Sequence, residues 1–124
     1  MKIKISSGKI NVIAELRNTE TAKAIYNALP IEGASNRWVD EIYFVIPVNL
    51  DAEPDAKEVV EEGDIAYWPE GSCFCIFFGK TPASKGNEIR AASKVNVFGK
   101  VIGDAKVFKK VKDGDLVVLE KLSQ

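Results

Sequence analysis

The chain has 124 residues, 46% of them hydrophobic and 28% charged, with a net charge of -1. That is the size of one globular domain, spanning 1–124. The balance argues against disorder, and there is no charge excess to draw the chain to nucleic acid or anionic lipid. Histidine is absent, which excludes Ser-His-Asp and Cys-His catalysis and imidazole metal ligands and leaves acid-base work to a shifted carboxylate, lysine or cysteine.

Met1-Lys2-Ile3-Lys4-Ile5 alternates charge with isoleucine and reads as a first strand. It has no apolar signal-peptide core, and no run reaches the ~18 apolar residues of a membrane helix, so a cytoplasmic location is the default expectation. Ser6-Ser7-Gly8-Lys9 is turn chemistry and predicts a hairpin into Ile10–Leu16. There Ile10, Val12, Ala14 and Leu16 share one face, with Ile13 the exception on the other. Asn18 or Thr19 caps a following helix with Glu20 in its first turn, and Ala22, Ile25, Tyr26 and Leu29 form one apolar stripe that Pro30 ends.

Residues 31–37 read as a loop, and Trp38–Val48 as a β-prone run that Pro47 bends or places at an edge. Asp51–Asp64 is strongly acidic and reads as a solvated loop with a short strand or turn around Val59-Val60. It lacks the pattern of a calcium loop. Ile65–Trp68 and Cys73–Phe78 are strands joined by Pro69-Glu70-Gly71-Ser72, and Gly79–Asn87 is a polar, Gly- and Pro-containing rim. Val95–Val101 reads as a strand running into a turn at Gly99. Ala105–Val111 predicts a short helix with lysines towards its end, and Leu116–Leu122 a final strand. Seven or eight short strands and two short helices make the chain all-β. Two sheets or a barrel would bury the alternating faces.

Five segments, in order, resemble the cyclophilins: Gly8–Leu16, Thr21–Leu29, Ile42-Tyr43-Phe44-Val45-Ile46-Pro47, Gly71–Ile76, and Val97-Phe98-Gly99-Lys100-Val101. Gly63–Pro69 and Phe77–Pro82 are similar to a smaller bacterial and archaeal cyclophilin-like family without an established activity. The resemblance implies a closed eight-stranded barrel capped by two helices. It also implies a groove near Tyr43, Phe44, Tyr67, Trp68, Cys73, Cys75 and Val95.

The departures from the cyclophilin pattern bear on activity. Phe44 stands where the resemblance places the arginine that polarises the prolyl amide. Cys73 and Cys75 replace its glutamine and pocket phenylalanine, and Val95 its histidine. Without positive charge aimed at the twisted amide, prolyl isomerase activity is expected to be absent or very weak, unless Arg37 or Arg90 reaches into the groove. Cys73 and Cys75 lie on one strand face and read first as small buried hydrophobes; two thiolates are too few for structural zinc. Gly79-Lys80-Thr81 leads into a proline-serine loop instead of opening a helix, so it is no phosphate loop. Trp38 and its neighbouring aromatics read as barrel packing or the lining of an apolar groove.

The sequence therefore predicts a non-enzymatic module that binds a small molecule or an extended peptide. A weak peptidyl-prolyl isomerase is the alternative. No catalytic residue, cofactor, metal, nucleic acid or membrane partner is called for.

Overall fold

The computed structural model describes residues 1–122. Strands β1 (Lys2–Ser7) and β2 (Ile10–Leu16) form the expected hairpin, and β1 also pairs with β10 (Leu116–Lys121). Ile3 and Ile5 of β1 and Ala14 and Leu16 of β2 enter the core while Ile13 is exposed, as the period of two requires. Helix α1 (Glu20–Ala28) is capped by the Thr19 hydroxyl, which accepts from the Ala22 amide at 3.1 Å. Its apolar stripe, Ala22 and Ile25 above all, covers the main core.

Residues 31–37, expected as a loop, instead supply two short strands, β3 (Ile31–Ala34) and β4 (Asn36–Arg37). Then come β5 (Glu41–Val45), β6 (Lys57–Val60), β7 (Asp64–Trp68), β8 (Cys73–Phe77) and the long β9 (Ile89–Ile102), followed by a 3-10 helix, Ala105–Lys110. Gly99 lies inside β9 and makes no turn. There Ile65 pairs with Gly99 and Ala66 with Val97, so Phe98 is the extra residue of a bulge. The bulge reverses the facing of β9: Val95 and Val97 point to one side of the sheet, Phe98 and Val101 to the other.

The ten strands among the described residues do not close into the eight-stranded barrel that the resemblance implies. The hydrogen-bonded path runs β3-β10-β1-β2-β9-β7-β8-β5-β4, with β6 paired to the first half of β9. Its two ends, β3 and β4, are consecutive in the chain and separated only by Ser35, so a covalent link stands where a closed barrel would have a ladder. Ser35 is fastened from the other side. Its amide donates to the Asp115 carbonyl, its hydroxyl to the Lys112 carbonyl, and its carbonyl accepts from the Gly114 amide.

One face of the sheet holds the main core, with Phe44, Tyr67, Phe74, Phe98 and Phe108 at its centre. The acidic segment crosses this region as a strap. Asn96, almost fully buried, accepts from the Glu53 amide at 2.8 Å and donates to the Asp51 carbonyl and the Thr21 hydroxyl. The opposite face carries a second, smaller core. Cys73, Cys75 and Phe77 of β8 pack there with Ala66 of β7, under Val60 of β6 and Ala91 and Val95 of β9.

Candidate functional site

At the margin of the second core lies a cleft of about 90 Å³, enclosed by Trp38, Tyr43 and Trp68, by Ala91, Ala92 and Val95 of β9, and by the carboxyl of Glu41. Larger hollows on the surface, such as the one of about 430 Å³ between the β1–β2 turn and residues 110–116, are broad depressions lined by turn residues and β-strand ends.

The cleft follows from strand alternation. On β5, Ile42 and Phe44 face the main core, so Glu41 and Tyr43 face the other way. A two-residue turn between β4 and β5 folds Trp38 back over Glu41. The Trp38 amide donates to the Glu41 carbonyl at 2.9 Å and the Glu41 amide to the Trp38 carbonyl at 3.3 Å. That turn is strained, because Val39 sits at φ 57°, a left-handed conformation that costs a β-branched residue roughly 1–2 kcal/mol. Arg37 holds it. Nε and Nη2 donate to the Val39 carbonyl at 2.9 and 2.6 Å, Nη1 donates to the Val111 carbonyl at 2.6 Å, and the guanidinium lies 5.1 Å from the centre of the Phe78 ring. Trp68 is set from two sides. Its indole Nε1 donates to the Ser93 hydroxyl at 2.6 Å, and its ring lies over Gly71, where a Cβ would fall 2.5 Å from a ring carbon. Tyr43 and Trp68 meet edge to face, 6.5 Å between centroids.

The electrostatics centre on Glu41. It is 5% exposed, and its Oε1 has no hydrogen-bond partner among the described residues. Burial pushes its pKa up to about 7, opposed in part by the adjacent Cys75 thiol. Burial, with the Glu41 charge adding to it, also pushes up the Cys73 thiol and, much further, the Cys75 thiol. Both cysteines are free and buried. Thiols held protonated in this way are packing groups and poor nucleophiles.

Of the residues assigned to the groove from sequence, Tyr43, Trp68 and Val95 line the cleft. Cys73 and Cys75 form the layer beneath. Phe44 and Tyr67 are in the main core. Phe44 packs on Phe74 at 5.4 Å, and the Tyr67 hydroxyl donates to the Val48 carbonyl and accepts from the Leu50 amide. The correction is one of parity: 43 and 44, like 67 and 68, are neighbours on a strand and point to opposite faces. Neither Arg37, which serves the turn, nor Arg90, bound to Glu58 and Glu88, lines the cleft. Sequence reasoning missed Glu41 and the two alanines. The available signal for Glu41 was an acid two residues before Tyr43, on the same strand face, next to a second acid, Asp40, in the turn.

A mostly β chain with short helices and this order of elements defines a cyclophilin-like fold. The family model for cyclophilin-like proteins matches residues 1–120, and the chain belongs to that family. It is similar to the solution structure of a hypothetical protein from Archaeoglobus fulgidus, with 43% identity, a TM-score of 0.83, and coverage of 98% of this chain and 95% of that one. No curated protein matches it. Among the described residues, no helix is long and apolar enough to cross a membrane.

Proposed function

We propose that the protein is a binding module whose receptor is the cleft between the Trp38–Glu41 turn, Trp68 and the first half of β9. The observation that carries this is the open space itself: three aromatic side chains and a buried carboxyl surround a cavity that packing has not filled. Apolar walls with one placed polar group are the usual make-up of a small-ligand site. The volume suits one small head group or side chain, free or projecting from an extended peptide. The strain at Val39 supports the same reading, because left-handed β-branched residues persist where surrounding contacts impose them, and they cluster at functional sites.

The cleft offers little to a prolyl isomerase. Its lining includes no cationic side chain among the described residues, and its one ionisable acid carries the wrong sign to replace the missing arginine. The prolyl barrier of about 20 kcal/mol is lowered by charge aimed at the twisted amide, so proline-limited refolding is expected to run at its uncatalysed rate with this protein present.

The binding reading is tested by NMR of the isotope-labelled protein, titrated with metabolite extract and with peptide libraries. Saturable shifts in the indole signals of Trp38 and Trp68 and in the amides of Tyr43 and Val95 are expected. An unchanged spectrum at those positions under every addition would overturn it.

A further inference from the structure

We propose that the cleft receives a small alkylammonium group, free or at the end of a lysyl side chain, with Glu41 as its counter-ion and Trp38, Tyr43 and Trp68 as its walls. This deepens the binding reading above and rests on it.

Three observations converge. First, Glu41 is buried in the wall of the cavity, and its Oε1, shut off from solvent, has no hydrogen-bond partner among the described residues. A buried carboxyl without partners is costly, and native chains keep one where something else supplies the missing donors. Second, the walls are aromatic. Two indoles and a phenol line the cleft, and an aromatic lining together with a carboxylate attracts a cation, gives a neutral group no such reward, and repels an anion. Third, the space is small. About 90 Å³ is well below the ~150 Å³ cavity that holds benzene, so a primary ammonium head with its adjoining methylenes is the best match in size, and bulkier heads fit only in part. A bare metal ion is a poor occupant, because Ca²⁺ or Mg²⁺ needs about six oxygen ligands and the lining holds one carboxylate. No group of three or more potential metal-ligating side chains occurs among the described residues.

The chemistry is a binding equilibrium without bond making. The ammonium pairs with the Glu41 carboxylate by charge, and by N–H donation where it carries a proton, displaces water from the aromatic lining and holds the acid ionised. With the empty-site carboxyl titrating near 7, occupation near neutral pH releases part of a proton. Apparent affinity then falls roughly tenfold per pH unit below about 7.

The test uses the intact chain and four probes: tetramethylammonium, its neutral counterpart tert-butanol, n-propylammonium, and a short lysyl peptide capped at both ends. Sodium chloride holds ionic strength constant, and binding is read from the Trp38 and Trp68 indole signals. At least one ammonium probe is expected to saturate these signals and to bind at least about tenfold more tightly than tert-butanol. The same probe should weaken on going from about pH 8 to about pH 5 and lose at least about tenfold in affinity in Glu41→Gln. Preference for the lysyl peptide identifies a partner chain as the source, and preference for the free ions a small metabolite. Equal binding of tert-butanol, or pH-independent binding to the wild type, overturns the cation assignment while leaving the binding module standing. No response to any of the four also overturns the assignment; the extract and peptide titrations then decide separately whether the cleft binds anything. The pH series needs no variant, so a misfolded Glu41→Gln does not shield the proposal.

Discussion

At the scale of single residues, Glu41 couples folding to pH. Its carboxyl titrates at about 7 in the folded chain against 4.5 when unfolded, because burial penalises the charged form. A raised acid binds more protons in the folded state, so this group leaves stability untouched below about pH 4.5. It lowers stability as pH climbs from there to about 7, and holds it down above. The full effect is about 3 kcal/mol. The titratable groups facing it are the thiols of Cys73 and Cys75 on β8 and the phenol of Tyr43 on its own strand. Glu41→Gln is therefore expected to be more stable than the wild type at pH 8 by up to about that amount, and equal to it near pH 4. Urea titrations at both pH values measure this; a constant difference across the range would assign the effect to packing. Such an acid is visible in the sequence only as the second of two adjacent acids, Asp40 and Glu41, at the head of a β-prone run. Its place in the wall of the cleft is set by the turn that pairs it with Trp38, built on a left-handed valine that no local pattern announces.

At the scale of elements, β9 organises the molecule. Its first half pairs with β6 and covers the second core. Its second half pairs with β7 and β2. Gly99 sits where the strands come closest: a Cβ there would fall 2.7 Å from the Glu15 carbonyl oxygen of β2 and 2.9 Å from Ile65 of β7. Gly99→Ala would push apart two ladders at once, and a cost of roughly 1–3 kcal/mol is expected, of the size of overpacking in a tight core. Thermal unfolding measures it, and a variant as stable as the parent would show that the strands yield there. The segments legible from sequence are those whose periodicity the tertiary structure uses directly: the β1–β2 hairpin, α1 with its Thr19 cap, β7 and β8. Residues 89–94 were illegible because Arg90, Ser93 and Lys94 look like loop, and their strand depends on pairing with β6. β3 and β4 were hidden for the same reason, since Glu32, Gly33, Ser35 and Asn36 carry turn residues into short edge strands. The residues assigned to a groove came from likeness of motif, and of them Tyr43, Trp68 and Val95 line the cleft. Strand parity then decided which neighbour of each pair faces the cleft.

At the scale of the whole molecule, the family frame is kept while its two faces are put to different uses. The main core fills with phenylalanines. The other face packs against Val60 of β6 and Ala91 and Val95 of β9, with the cleft beside Trp68 at its margin. The open sheet has two terminal strands, each with a row of backbone groups that finds no ladder partner on that side. Such rows are templates for pairing between molecules. Here both belong to one short stretch of chain, pinned at Ser35, and Arg37 and Asp113 add a further clasp through the Arg37 amide. The pin works as a rivet holding two lips of a cut sleeve, and its strength depends on its shortness. Inserting a short Gly-Ser segment at Ser35 should let the lips part and recruit other copies, seen as concentration-dependent growth in sedimentation. The same insert in the 83–87 loop, which joins no two sheet edges, should leave the sedimentation profile as it was. Because the pinned strand β4 leads directly into the turn that carries Trp38 and Glu41, loosening the sleeve should also unseat the cleft. Self-association and a disordered cleft would then arise together from a change remote from either core.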